Sequence, residues 1–549
     1  MIFLKALFFR IWLVMLIFSS VVLAQQKDIP VKLINTSELK AVKERKKQGL
    51  FDAIGEIAFL NEDILLEATS IVDGKFKRYS LAYTAPNVKG INLYFSDLQL
   101  PKGSTFILKG TYRNQQIDLL KDKVPHVSKY ATSFIYGDYF ELYLDIPLDK
   151  VNEAKVLLEG VGLTQADILP KDIRKDFGDA ASCNINISCE EGDLWQRAGR
   201  SVVRILVRND NLVGFCTGVL VNNTNEDFTP YILTAQHCGL NEFTGNLIGQ
   251  SNFDQWVFFF NYEVDACTGV TSPNSIPVNA LVGADIIAHS DDEGGESGSD
   301  FLLLRLKNFI PASFDPVFAG WSNIEINAPA GVAIHHPQGD VKKISTYNTP
   351  LESSQFSSES NIRNTHWRVT WTQTANGFGI TEGGSSGAPL FNNSGQVVGN
   401  LTGGLASCER LDGFDLFGKV SYHWRSNGNS DTRQLANWLD PTDLDVTAWR
   451  SIDVNGNIVT GNEGEIEIKS LSVFPNPTNT NFWISLPLQM NTSSLNLTIF
   501  DRAGKQIKQE AITTFAEQYK VDISSLSKGL YYITLSNNDY IYRNKIVIY

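Results

Sequence analysis

Three short stretches of this 549-residue chain hold side chains that could together cleave an amide. Serine-based amide hydrolysis needs a hydroxyl nucleophile, a base to take its proton, an acid to orient the base, and N–H donors for the oxyanion. "TEGGSSGAPL" carries Ser386 between Gly384 and Gly387, where the lack of side-chain bulk allows a tight turn around a hydroxyl. The N–H groups of Gly384 and Ser386 are expected to converge on one oxygen. "YILTAQHCGL" delivers His237 just past an apolar run and just before Cys238. "GSDFLLLRL" sets Asp300 at the mouth of another apolar run, where burial suits a carboxylate that holds an imidazole N–H. Singly, each stretch has a bland alternative: a structural histidine, a solvated aspartate, a glycine-serine turn. In the chain order His, Asp, Ser they form one constellation.

These residues need rigid elements beneath them, and the surrounding sequence supplies strands. "SVVRILV", "GVLVNN", "YILTA", "WVFFFNYEV", "DFLLLRL", "VAIHH" and "VVGNLTGG" are short β-type runs. The helical pattern is confined to "DTRQLANWLD", with Asp431 as cap, Leu435 and Leu439 on one face and Pro441 as stop. Residues 180–457 are therefore expected to form a β-barrel enzyme domain with a terminal helix. All six cysteines, Cys183, Cys189, Cys216, Cys238, Cys267 and Cys408, fall in it. An even number in an exported chain favours disulfides. Cys238 can pair back to Cys216 in "GFCTGVLV", which would staple the base to a neighbouring strand; the other pairings stay open at this point. No C-x-x-C pair suggests a metal or redox site, and the "DDEGGES" run before Asp300 reads as an exposed acidic loop.

The totals fit an exported, multidomain globular protein. The length exceeds one core, and 43% hydrophobic with 19% charged residues excludes a disordered chain. A net charge of −13 argues against a nucleic-acid partner. Lys5 and Arg10 precede an apolar run, Ile11 to Ala24, shorter than the roughly 20 residues needed to span a bilayer. Residues 1–24 therefore read as a signal peptide. Residues 25–179 show alternating strands such as "YFELYLDIP" and turns such as "LPKGS", the pattern of a β-sandwich. An earlier patch, "TSELKAVKERKKQGLF", reads as a basic, solvated helix. Residues 458–470 form a polar linker, and 471–549 a small all-β module.

The middle region resembles the trypsin-like serine proteases, and more closely the lysyl endopeptidase family. The carrying motifs are "TAQHC", "SDFLLL" and "GSSGAP", together with "SCNINISCEEGD", "AGW", "HHPQGDVKKIS" and "RQLANWLDP". The resemblance implies a double β-barrel, no cofactor and no catalytic metal, with His335 and His336 in a structural loop. It implies the disulfides Cys183–Cys408, Cys189–Cys267 and Cys216–Cys238. It also implies cleavage of protein or peptide substrates after lysine. Trypsin carries its pocket aspartate six residues before the serine; Ile380 stands there in this chain. The lysyl enzymes carry the acid on the wall after the Gly-Gly pair, which points to Asp415, with Asp412 as competitor. Thr402 replaces the histidine that the family has before Gly403 and Gly404, which leaves arginine open as a second residue. Thr402, Gly403 and Gly404 are expected to pair with the substrate backbone.

The flanks carry resemblances of their own. "VFPNPTN", "IFDRAGK", "DISSLSKGLYYITL" and the terminal "NKIVIY" resemble the C-terminal sorting domain of the type IX secretion system. That implies passage across the outer membrane, a secreted or cell-surface location and the secretion machinery as a partner. Residues 25–179 resemble a protease propeptide, which would assist folding or block the cleft, with Lys171, Arg174 and Lys175 as maturation points. The chain is expected to act as a monomer. The alternatives are a serine protease of different specificity and an inactive, protease-like surface adhesin.

Overall fold

The structure, a computed structural model, describes residues 29–37, 53–111, 114–120, 128–164, 180–241, 243–268, 279–325, 327–358, 361–459, 468–485, 495–501, 506–512, 518–536 and 541–549. The signal peptide, the basic patch beyond Ser37 and the maturation points Lys171, Arg174 and Lys175 lie outside these residues.

Thirteen short runs of β-branched, aromatic and leucine residues build the two barrels in the middle of the chain, and their order explains how two of the three candidate residues meet. The first barrel comprises β1 (Val202–Asn209), β2 (Leu212–Val221), β3 (Tyr231–Thr234), β4 (Val257–Phe260), β5 (Asn279–Val282), β6 (Ala284–His289) and β7 (Leu302–Leu306). They pair antiparallel in the order β5-β4-β1-β2-β3-β7-β6. Gly283, with φ +87°, joins β5 to β6. One bent stretch thus pairs with β4 at one end and β7 at the other, which closes the ring. The interior is filled by Ile205, Ile232, Trp256, Phe258, Phe260 and Leu304. Burying side chains of this size contributes about 1.5–3 kcal/mol each.

The second barrel comprises β8 (Gly331–His335), β9 (Lys343–Tyr347), β10 (His366–Val369), β11 (Pro389–Asn392), β12 (Val397–Gly404) and β13 (Asp415–Lys419). Its order is β9-β8-β11-β12-β13-β10. The Thr372 N–H, just past β10, donates to the Thr346 carbonyl on β9 at 2.8 Å and brings the two ends of the sheet together. Ile380 lies in this core with Trp367, Leu390 and Phe417. A further cluster, including Val219, Leu303, Ile334 and Phe391, packs one barrel against the other.

The terminal helix is shorter than the sequence pattern suggests. Asp431–Arg433 is a single 3-10 turn and Ala436–Leu439 a single α turn. Gln434 between them is extended, with φ −136° and ψ 138°, because the Leu435 N–H is taken by the His423 carbonyl. Asp431 does not cap the α turn; its carboxylate accepts from Asn437 Nδ2 at 2.9 Å.

Two sheets enclose the N-terminal core, as the alternating runs imply. Phe76–Thr84, Thr105–Gly110 and Tyr139–Pro147 lie in one sheet; Ala53–Asp63, Gly90–Gln99 and Lys155–Thr164 lie in the other. Leu81, Phe95, Phe106, Phe140 and Val161 fill the space between. The C-terminal module also has two sheets, around Phe482, Ile484, Leu497 and Ile533.

Candidate active site

β3 and β7 are neighbours, with Thr234 opposite Leu302, so the residues just beyond their paired ends meet. His237 follows β3 in a single 3-10 turn, and Asp300 precedes β7. Asp300 Oδ2 accepts from His237 Nδ1 at 2.7 Å, and Oδ1 accepts from the His237 main-chain N–H at 2.9 Å. One carboxylate therefore fixes both the ring and the backbone of the histidine. It also leaves Nε2 as the imidazole's acceptor atom, because Nδ1 carries the donated proton. Asp300 is fully buried and adopts φ +58°, a costly conformation for a residue other than glycine. Its carbonyl accepts from Asn400 Nδ2 at 2.9 Å and from the Gln236 N–H at 3.3 Å, which hold it there.

Burial acts to lower the His237 pKa, but the charge and hydrogen bond of Asp300, with a smaller contribution from Asp292, carry it above the ordinary imidazole value. Asp292 belongs to the "DDEGGES" run. That run is not simply an exposed loop. Asp291 and Glu293 are exposed, but Asp292 is 2% exposed and accepts from the Asp300 N–H at 2.7 Å and the Gly295 N–H at 3.0 Å. Burial, then the charge of Asp300, push its pKa up to about 6.

The Ser386 segment reaches the same place from the second barrel. The Thr217 N–H on β2 donates to the Ser386 carbonyl at 2.8 Å. A Cβ on Gly387, which has φ +81°, would lie 2.1 Å from Thr234 Oγ1 and 2.7 Å from the Ala235 nitrogen. Only glycine lets the serine turn press this closely on the residues leading to His237. Gly384, with φ +89°, is similarly enclosed: a Cβ there would lie 2.9 Å from the Gly339 nitrogen and the His336 carbonyl. The N–H groups of Ser385, Gly387 and Ala388 donate to Glu382, Leu401 and Ser385 carbonyls. Among the described residues, those of Gly384 and Ser386 have no such backbone acceptor.

Asp415 opens β13 and is 1% exposed. Its Oδ2 accepts from Trp371 Nε1 and Thr381 Oγ1, both at 2.7 Å, and Oδ1 accepts from the Ala406 N–H at 3.3 Å. Burial raises its pKa against the pull of these donors, and it has no cationic partner among the described residues. Asp412, the competing candidate, is exposed. Thr402 lies in a register irregularity: Leu401 faces Phe417 while Gly403 faces Leu416 and Gly404 faces Asp415. His366 Nε2 lies 3.0 Å from Thr402 Oγ1, so a histidine from β10 reaches this wall although Thr402 is not one.

All three disulfides take the pairing expected: Cys183–Cys408, Cys189–Cys267 and Cys216–Cys238. Cys238 follows His237 directly, so the last bridge ties the histidine's turn to β2. Two supporting residues were given other places by the sequence reading, Asp292 in an exposed loop and His335 in a structural loop rather than at the end of β8. Asp292 was hidden in an acidic run. His335, on β8, holds Ser385 Oγ at 2.8 Å through Nδ1 and Ser345 Oγ at 3.0 Å through Nε2. The only sequence signal for it was its place in "HHPQGD".

Residues 177–418 match the lysyl endopeptidase C-terminal domain, and residues 472–549 match the secretion system C-terminal sorting domain. A lysyl endopeptidase of Pseudomonas aeruginosa is 28% identical over 307 residues, which cover 53% of this chain and 61% of that protein. Among solved structures, a thermostable serine protease AL20 from an extremophilic microorganism aligns at 13% identity and TM-score 0.27, over 40% of this chain and 91% of the other. Protease Anisep from Arthrobacter nicotinovorans aligns at 16% identity and TM-score 0.28, over 40% and 90%. The sorting domain marks the chain for export to the cell surface or beyond it. The middle of the chain is thus similar to the lysyl endopeptidase C-terminal domain, and residues 472–549 to a secretion system C-terminal sorting domain.

Proposed function

We propose that the chain is a serine endopeptidase that hydrolyses peptide bonds after lysine. The observation that carries this reading is the buried His237–Asp300 pair, with Nδ1 to Oδ2 at 2.7 Å, against which the Ser386 turn is packed through Thr217 and Gly387. In the proposed reaction His237 Nε2 takes the proton of Ser386 Oγ as that oxygen attacks the substrate carbonyl carbon. The N–H groups of Gly384 and Ser386 receive the oxyanion, while Asp300 stabilises the imidazolium. The imidazolium then protonates the leaving amine. Water, deprotonated by the same nitrogen, hydrolyses the acyl-enzyme and frees Ser386.

Asp415 supports the specificity. A buried carboxylate without a cation suits a basic side chain. Its Oδ2 already accepts two strong hydrogen bonds and Oδ1 one weaker bond. A two-pronged guanidinium needs both oxygens open, whereas an ammonium needs a single point of charge. This favours lysine over arginine. Thr402, Gly403 and Gly404 supply the strand along which the substrate backbone would pair.

A fluorophosphonate probe and a peptide library test the proposal. Wild type should label and Ser386→Ala should not, with cleavage confined to the bond after lysine. Equal labelling of the two proteins would remove the hydrolase reading. Labelling with cleavage after acidic or small residues would leave the chemistry and remove the lysine assignment.

A further inference from the structure

The first barrel buries a cation that has no acid beside it. Among the described residues, the buried Arg208, Lys342, Lys343 and Lys419 pair with Glu159, Glu263, Asp340 and Glu325. Arg204 on β1 is 6% exposed, has no such partner, and its Nε meets no acceptor. A buried charge without a counter-ion is costly. Aromatic faces offset part of that cost: the guanidinium carbon lies 3.5 Å from the ring centroid of Tyr262, 4.4 Å from that of Phe259 and 5.0 Å from that of Phe215. Phe134 of the N-terminal domain, whose strand Ala53–Asp63 pairs with β2, meets Phe215 edge-on at 5.9 Å. Among the described residues, the guanidinium makes one hydrogen bond: Arg204 Nη1 donates to the Gly339 carbonyl at 2.8 Å.

Gly339 ends the turn that follows β8. Gln338 has φ +54° and Gly339 φ +70°, so a residue other than glycine is held in the left-handed region, which needs support from its surroundings. A Cβ on Gly339 would lie 2.2 Å from the Phe215 ring, so the turn is pressed onto the aromatic cluster around Arg204. The Gly339 N–H returns to the His336 carbonyl at 3.1 Å. This turn in its own right holds the serine loop, because the Gln338 N–H donates to the Gly383 carbonyl. That carbonyl and the Gly384 N–H belong to one planar trans peptide, so they point in opposite directions. Holding the carbonyl against the turn therefore aims the Gly384 N–H away from it. The next carbonyl, that of Gly384, accepts from Thr217 Oγ1 at 2.9 Å. Both peptides that flank Gly384 are thus fixed at their oxygens.

We propose that Arg204 is a positioning residue for the oxyanion site: by anchoring Gly339 it keeps the Gln338 N–H on the Gly383 carbonyl, and so keeps the Gly384 N–H aimed at the oxyanion. The inference rests on the serine-hydrolase reading of Ser386. A charged donor makes a shorter and stronger hydrogen bond to the Gly339 carbonyl than a neutral one. The planar guanidinium also stacks among the rings, which an ammonium on a flexible stem cannot reproduce. Arg204 acts through the turn, not on the substrate.

The test compares wild type, Arg204→Met and Arg204→Lys in the protein as secreted. The readouts are lysyl-peptide kinetics, the fluorophosphonate labelling rate, and the affinities of a peptide ending in lysinal and of the matching peptide alcohol. The aldehyde forms a hemiacetal with Ser386 Oγ that places its oxygen in the oxyanion site, whereas the alcohol has no carbonyl to offer. Arg204→Met should lower kcat about 10- to 100-fold, short of the full loss of an oxyanion donor, with KM nearly unchanged. The labelling rate and the aldehyde affinity should fall with kcat, while the alcohol binds as before. Arg204→Lys should recover part of each loss. If Arg204→Met does not fold, Arg204→Lys carries the test, with kcat and aldehyde affinity expected to drop several-fold together. Unchanged kcat and aldehyde affinity in a folded variant would overturn the inference and leave Arg204 a packing residue. Equal weakening of aldehyde and alcohol, with a raised KM, would overturn it too, because the damage would then lie in substrate binding. Absence of labelling in wild type would remove the hydrolase reading and the inference with it; labelling in wild type with unchanged variants would remove the inference alone.

Discussion

The Asp300 N–H donates to Asp292 Oδ2 at 2.7 Å, so a second buried carboxylate stands directly behind the one that holds His237. The two acids have different tasks. Asp300 touches the imidazole, while Asp292 fixes the unusual backbone of Asp300 and adds negative charge to the site. Burial and the Asp300 charge push the Asp292 pKa to about 6, so it ionises only as pH rises past that value.

A pH profile separates these roles. The proposed base works only when neutral, so kcat/KM should fall as pH drops through the raised His237 pKa, above the ordinary value of about 6.5. Asp292→Asn removes a negative charge that favours the imidazolium. The His237 pKa should then fall and the acidic limb should move to lower pH. A limb that stays in place would show that Asp292 acts only on geometry.

His335 predicts a different kind of loss. Its ring touches Ser385 Oγ and Ser345 Oγ; Ser345 Oγ donates to the Ile380 carbonyl at 3.2 Å, and Ser385 Oγ accepts from the Glu382 N–H at 3.3 Å. One imidazole thus clamps both ends of the segment that leads into Ser386. Burial, then the charge of Lys343, depress its pKa to about 3, so it stays neutral across the working range. His335→Ala should lower kcat roughly 10- to 100-fold with little change in KM, as expected when a nucleophile is slightly misplaced. The acidic limb should not move, and His335→Gln should recover part of the rate. A raised KM with kcat intact would assign His335 to substrate binding.

The legible part of the site was the part set by local sequence. A strand end, a histidine and a cysteine lie within a few residues, and so do a strand start and its aspartate. The glycines around Ser386 gave the turn, and the barrels in which Thr234 meets Leu302 did the rest. Asp292 was not legible because burial of a single acid within "DDEGGES" depends on the Gly295 and Asp300 N–H groups that the loop turns toward it. His335 and Ser385 are 50 positions apart, and only pairing of β8 with β11 brings their segments together. The terminal helix came out shorter than the pattern suggested because propensity lost to tertiary hydrogen bonding at Leu435. Docking of the N-terminal strand on β2 had no signal at all, since an edge pairing uses backbone groups that every sequence has.

Asp415 gives the sharpest test of substrate choice. Asp415→Asn keeps the volume and an acceptor for Trp371 and Thr381 but removes the charge. Loss of one partner from a buried ion pair costs about 3–5 kcal/mol, so kcat/KM for lysyl peptides should fall by hundreds- to thousandsfold. Fluorophosphonate labelling, which needs no basic side chain, should persist. Peptide kinetics and labelling on one preparation check both. Asp412→Asn, at an exposed position, should leave both unchanged.

The Cys216–Cys238 bridge joins β2 to the turn that carries His237, and its other contacts show what it holds. Thr217, beside Cys216, donates to the Ser386 carbonyl at 2.8 Å through its N–H and to the Gly384 carbonyl at 2.9 Å through Oγ1. The bridge therefore ties the histidine's turn to the residue that anchors the serine loop. Closing a segment with a sequence separation of 22 residues restricts the unfolded chain by about 3 kcal/mol in the loop-entropy account. Replacing both cysteines by alanine should lower unfolding stability by about that amount, measured by denaturant titration in the Ser386→Ala background to prevent self-digestion. In the active protein the same change should lower kcat more than it raises KM, because the His237 and Ser386 segments lose a shared tether. Removing Cys189–Cys267 in the same way should affect stability while leaving kcat nearly unchanged, since that bridge touches neither segment. Equal effects of the two replacements on kcat would mean that the Cys216–Cys238 bridge has no special part in aligning the site.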